Sequence, residues 1–182
     1  MKRISMKLGV MILVASAVAR AQVAPPATAP AAVLSVSLII SPQQEFLVNF
    51  KNTSERPLVI NLGEMLANGR QLLPSSVQIV STDPMNIQRV FTVARPPGVA
   101  GRVDDWLIAL RPGDHYVLTL KPQDLVQEKT FERYQPQAGL RLAVRFEGKP
   151  PSNDNNGSLI PGLPVIKGLI VSPSIPSPPL DR

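Results

Sequence analysis

The side chains that could carry chemistry are few. His115 is the only histidine among 182 residues, and there is no cysteine. Asp114 precedes it and Asp104-Asp105 lie upstream, so a metal-assisted or acid/base centre would have to be assembled from His115, Asp104 and Asp105. One histidine with scattered carboxylates is poor material for a transition-metal site. His115 also opens a segment in which Tyr116, Leu118 and Leu120 share the apolar parity, which turns its own side chain to solvent. Adjacent residues of a strand point to opposite faces, so Asp104 and Asp105 cannot converge as a catalytic pair. Their plainer duties are a turn before Trp106 and an ion pair with Arg102 or Arg111. The absence of cysteine excludes a disulfide scaffold, a thiolate zinc or iron–sulfur site and a thiol enzyme. No nucleophile-elbow serine and no glycine-rich phosphate loop occurs.

Other motifs weaken on inspection. Ser152-Asn153-Asp154-Asn155-Asn156-Gly157 resembles the start of a calcium loop, but Ser152 stands where an aspartate is needed and Leu163 where the twelfth-position glutamate belongs. A polar hairpin tip explains it better. Asn52-Thr53-Ser54 and Asn156-Gly157-Ser158 fit the short glycosylation-acceptor pattern. Trp106 shares parity with Ile108 and Leu110, which favours burial between sheets over an exposed platform. Arg141 and Arg145 share an outer strand face, with Arg89, Arg95, Arg102 and Arg111 elsewhere. They form either a surface for an acidic partner or a solvated face that discourages edge-to-edge aggregation. The expectation is therefore no catalytic residue, no cofactor and no metal ligand.

The elements that must hold these residues alternate with a period of two. Leu34, Val36, Leu38 and Ile40 share a face; so do Phe46, Val48 and Phe50; Leu58, Ile60 and Leu62; Val77 and Ile79; Tyr116, Leu118 and Leu120; and Leu140, Leu142, Val144 and Phe146. This is the half-buried strand pattern. Residues 87–93, 105–110 and 165–171 are further strand candidates. The 20 prolines and 11 glycines gather between these runs, where they do not delete ladder hydrogen bonds. Only Gly63–Asn68 and Pro122–Tyr134 tolerate a helical turn. Many short strands without a helical layer predict two packed antiparallel sheets, an immunoglobulin-like β-sandwich of about seven to nine strands, with a closed barrel as the alternative.

The amino terminus has basic Lys2, Arg3 and Lys7, then 12 apolar or small residues from Leu8 to Ala19, then Ala19-Arg20-Ala21. A spanning helix needs roughly 20 apolar residues, so this reads as a signal peptide over residues 1–21 and not as a membrane anchor. Residues 22–32 read as an Ala/Pro-rich flexible leader, 33–172 as the sandwich and 173–182 as a Pro-rich tail. Removing residues 1–21 takes four basic residues, so nineteen become fifteen against thirteen acids and net +6 falls to +2. A nucleic-acid partner, suggested by the whole-chain charge, loses its support. Cysteine-free export fits a bacterial envelope.

Three segments carry a resemblance. Phe50-Lys51-Asn52-Thr53-Ser54-Glu55-Arg56-Pro57-Leu58, Leu110-Arg111-Pro112-Gly113-Asp114-His115-Tyr116-Val117-Leu118 and Ala138-Gly139-Leu140-Arg141-Leu142-Ala143-Val144-Arg145-Phe146 resemble, in order, the early bend, the Pro-Gly turn and the late strand of secreted bacterial immunoglobulin-like domain proteins. The match departs at Leu140 and Phe146, where tyrosine is usual. It implies the fold and is nearly silent on function. Tyr116, soon after the turn, is expected to cap it through its hydroxyl. The expectation is an exported, non-catalytic module, protein-binding or structural, whose partner is another envelope or secreted protein and whose oligomeric state is open. The alternatives are an inhibitor or accessory subunit of a secreted hydrolase presenting Ala94–Arg102, and a weak metal-dependent or acid/base enzyme using Asp104, Asp105 and His115.

Overall fold

Alternation of apolar and polar residues becomes paired strands throughout the computed structural model, which describes residues 33–152 and 163–177. The chain order is β1 (Leu34–Ile40), β2 (Phe46–Asn52), β3 (Leu58–Leu66), β4 (Gln71–Leu73), β5 (Val77–Thr82), β6 (Gln88–Val93), β7 (Asp104–Leu110) and β8 (His115–Leu120). A single 3-10 turn (Pro122–Asp124) follows, then β9 (Leu125–Gln127), β10 (Arg141–Gly148), β11 (Gly168–Val171) and β12 (Ile175–Pro176). Among the described residues, nine strands are four residues or longer, so the all-β antiparallel sandwich expected from the pattern is present. The expected signal peptide and leader lie outside the described residues.

The strands form three sheets, ordered β1-β2-β8, β4-β3-β7 and β11-β10-β5-β6-β9, with β12 also paired to β10. The first two are halves of one long ribbon. β2 runs into β3 and β7 into β8; Phe46–Lys51 pair with Leu120–His115, and Leu58–Met65 pair with Leu110–Asp104. The ribbon folds where Asn52 meets the turn after Leu110. One hydrophobic cluster fills the space between the ribbon and the six-stranded sheet. Phe50 on β2 meets Phe146 on β10 edge to face at 5.1 Å, and Tyr134 lies edge to face between Phe46 at 5.4 Å and Phe91 at 5.1 Å. Such pairs add to burial because the positive ring edge meets the negative ring face. The same apolar parity that identifies each strand thus supplies the core: Leu34, Val48, Ile60, Ile79, Leu142 and Val144 are all buried.

Three local expectations change. Gly63–Asn68 is not helical: β3 continues to Leu66 and hairpins to β4. Gly63 sits at φ +140° in a bulge opposite Trp106, and a Cβ there would lie 2.3 Å from the Leu73 carbonyl oxygen, so only glycine lets β3 pass this close to Leu73. Val59 and Asn61, expected to face outward, are buried. Val59 is covered by a parallel bridge to Val165, with its N–H donating to the Pro164 carbonyl at 2.9 Å. Finally, pairing continues past residue 172: Ile175 and Pro176 face Leu142 and Arg141, and the Ser177 N–H donates to the Leu140 carbonyl. The start of the Pro-rich tail therefore belongs to the sheet, as proline can at an edge.

Candidate functional site

The three candidate aspartates are spent on the fold. Asp105 leaves β7 toward the end of β10. Its Oδ2 accepts from the Ser152 N–H at 2.8 Å, and its Oδ1 from the Ser152 hydroxyl at 2.7 Å and the Asn61 amide at 3.2 Å. It pins the outgoing chain to β3 and β7. Asp104 points the other way and pairs with Arg102, one of its two expected partners. Asp114 closes the Arg111–Asp114 turn by accepting from the Arg111 N–H at 3.1 Å, the capping duty expected of the Tyr116 hydroxyl. Tyr116 instead packs against the core, and burial pushes its pKa above the ordinary 10.0. His115 is exposed and stands opposite Lys51 on β2, away from Asp104 and Asp105. Among the described residues no three His, Asp or Glu side chains gather as a metal site would require. Of the segment expected to form a polar hairpin tip, only Ser152 is described; Asn153–Gly157 lie outside the described residues.

Asn52 is the most heavily bonded of the residues singled out from the sequence. Its side chain has no solvent exposure. Its amide donates to the Leu110 carbonyl at 3.0 Å and the Arg56 carbonyl at 2.9 Å, while its oxygen accepts from the N–H and the hydroxyl of Ser54 at 2.9 and 2.7 Å. Its backbone exchanges bonds with Asp114 and Gly113 at 3.0 Å each. The side chain that fits the short glycosylation-acceptor pattern is a buried clasp joining the early bend to the Pro-Gly turn. The second acceptor pattern, at Asn156, lies outside the described residues. Trp106 is buried, as its parity predicts.

The arginines separate into occupied and open. Arg95 pairs with Glu64 at 3.0 Å, Arg89 approaches Asp83 at 3.8 Å and Arg102 holds Asp104. Arg141 donates from Nη2 and Nε to the neutral Ser174 hydroxyl at 2.8 and 3.1 Å, and Arg145 has no partner among the described residues. Both stand on the outer face of the six-stranded sheet. There the register sets Ala143 beside Val80 and Val80 beside Val90, with Arg145 between Gln78 and Val171. All of these but Gln78 line a groove of about 630 Å³ bounded by Leu169 and Val171 on one side and Asn86, Gln88 and Val90 on the other. Leu169 and Val171 are more than half exposed, at 53% and 56%. Parity alone identified only the two arginines of this groove. The apolar strip between them depends on the β5–β10 register, which no local signal reports.

A second cavity of about 490 Å³ has Phe91, Tyr134 and Leu140 as its floor and Arg89, Arg133 and three glutamines among its walls. Burial raises the Tyr134 pKa above 10.0, with a smaller opposing pull from the nearby Ser177 hydroxyl. The segment Ala94–Arg102 is largely exposed and tied at both ends: the Ala94 N–H donates to the Asp124 carbonyl at 2.9 Å, and the Arg102 N–H to Asn68 Oδ1 at 2.9 Å. No helix among the described residues is long and apolar enough to cross a membrane. No protein-family model matches the chain, and no curated protein matches its sequence.

Proposed function

We propose that this chain is an exported, non-catalytic β-sandwich module that binds another protein of the envelope or extracellular space through the outer face of its six-stranded sheet. One observation carries the reading. The aspartates that could serve catalysis are consumed by the fold, with Asp105 on Ser152, Asp104 on Arg102 and Asp114 on Arg111, and His115 stands exposed and apart from Asp104 and Asp105. The outer sheet face instead offers an apolar strip flanked by Arg141 and Arg145, neither paired with a carboxylate. An exposed apolar patch rimmed by polar groups is the usual mark of a protein contact surface. Export rests on the basic, short-apolar, small-residue order of residues 1–21.

The test is site-directed photocrosslinking in cells. A photoreactive residue at Val171, in the full chain, is expected to capture one discrete protein, and the same residue at Val117 on the outward side of β8 is expected to capture none. Equal labelling from both positions, or no discrete product from Val171, would overturn the reading. Amino-terminal sequencing of the recovered chain should begin at Gln22; an intact Met1 end would remove the export half. A second reading, inhibition of a secreted hydrolase, is favoured by the anchored and exposed Ala94–Arg102 segment, and a protease panel showing no inhibition would dispose of it.

A further inference from the structure

We infer that the partner on the six-stranded sheet presents an acidic segment lying extended along β10, with two carboxylate side chains four residues apart and an apolar side chain midway between them. The inference rests on the binding reading above and specifies the chemistry of what is bound. Arg141 and Arg145 occupy positions i and i+4 of one strand, so their Cα atoms are about 13 Å apart on the same face. Ala143 lies midway, with Val80 and then Val90 across the sheet, so the strip between the two charges is apolar. The residues lining the groove include no aspartate or glutamate, and Glu147, next on the same face of β10 and opposite Leu169, is paired with Lys149 at 3.4 Å.

Desolvation then dictates the partner's charge. A group that covers Ala143 and Val80 must strip water from the flanking guanidiniums, and a guanidinium deprived of water needs a carboxylate partner. An extended chain has the same rise as β10, so its residues i and i+4 match the arginine spacing and its residue i+2 falls over Ala143. The pattern is acid, any, apolar, any, acid. The groove spans β11, β10, β5 and β6, and an extended occupant laid along β10 meets both arginines and Ala143. Nucleic acid or an anionic polysaccharide would answer the charges but set phosphate, sulfate or hydroxyl groups on the apolar strip.

The experiment is an amide-shift titration of the ¹⁵N-labelled full chain with the end-blocked peptide Ser-Glu-Ser-Leu-Ser-Glu-Ser. Shifts are expected along β5, β10 and β11, and Arg141→Gln and Arg145→Gln should each weaken binding about tenfold. The same peptide with glutamine for glutamate should bind far more weakly, and with lysine not at all. Equal binding of the lysine or glutamine peptides, shifts confined to the other sheets, or no shifts at millimolar peptide would each overturn the inference. So would a heparin fragment or short RNA that moves the same amides as strongly as the peptide. The crosslink from Val171 separates the two failures. A discrete captured protein whose crosslinked segment lacks the acidic pattern sinks this inference and leaves the binding module standing. Absence of any discrete product sinks the module reading itself.

Discussion

At the Asn52 corner a carboxamide with no exposure to solvent makes four side-chain hydrogen bonds, while across the molecule two guanidiniums stand on an open sheet face with one neutral hydroxyl between them as partner. Both regions are built from polar residues placed by strand parity, but they stand in opposite relation to water. The corner has exchanged water for a full set of internal partners, so each polar atom there is committed to folding. The sheet face keeps its water and therefore retains bonding capacity for something else. Where a polar group has already found its partners, substitution should be read in stability. Where it has not, substitution should be read in binding.

The largest expected effect is at the corner. Asn52→Ala leaves the buried Leu110 carbonyl short of its donor, and also removes the partners of Arg56 and Ser54. It should cost about 3 kcal/mol in urea denaturation, the scale of unsatisfied buried polar groups. Asn52→Asp should cost at least as much, because it keeps the acceptor, deletes both donations and buries a charge. A loss under about 1 kcal/mol for either would remove the clasp from the account of the fold.

A smaller loss is expected at Asp105. Asp105→Ala frees Ser152 from β7 and should cost about 1.5 kcal/mol, with faster hydrogen exchange confined to the stretch leaving β10. Exchange that rises uniformly over the chain instead would mean that Asp105 acts globally and not as a local pin.

The third effect depends on pH. Burial favours the neutral form of Tyr134, so its folded pKa lies above the unfolded value of 10.0. The folded state then holds the proton longer than the unfolded state. The stabilisation is complete below pH 10 and is lost as pH climbs from there through the raised folded value. Tyr134→Phe cannot ionise, so its melting temperature should fall less steeply than that of the parent above pH 10 and run parallel to it below. Identical slopes would show that Tyr134 ionises equally in both states.

The smallest stability change is expected where binding should change most. Arg145→Glu should move stability by less than about 0.5 kcal/mol, since its side chain has no partner among the described residues to lose, yet abolish the Val171 crosslink. If this variant unfolds the protein as Asn52→Ala does, the contrast between the two regions is wrong.

Much of the fold was legible because alternation is a local signal. Leu34, Val36 and Leu38, or Leu142, Val144 and Phe146, declare both strand and buried face within a few residues. His115, Trp106 and the divergence of Asp104 from Asp105 followed from the same parity. Val59 and Asn61 broke it because their covers, Val165 and Pro150, lie far along the chain. Gly63–Asn68 tolerated a helix by composition but was recruited into β3 by pairing with β4 and β7. Asn52 carried a recognisable bend motif, yet only the arrival of Leu110 and the turn after it turned a surface pattern into a buried clasp.

By itself, then, the order of residues determined that the chain is all-β, which side of each strand is apolar, and where the turns fall, because these depend on steric preference and a two-residue period. Folding in three dimensions decided which strands became neighbours. That choice set Ala143 beside Val80 and left Arg141 and Arg145 flanking an apolar strip. Register between segments some sixty residues apart is settled only when the two sheets close on a common core.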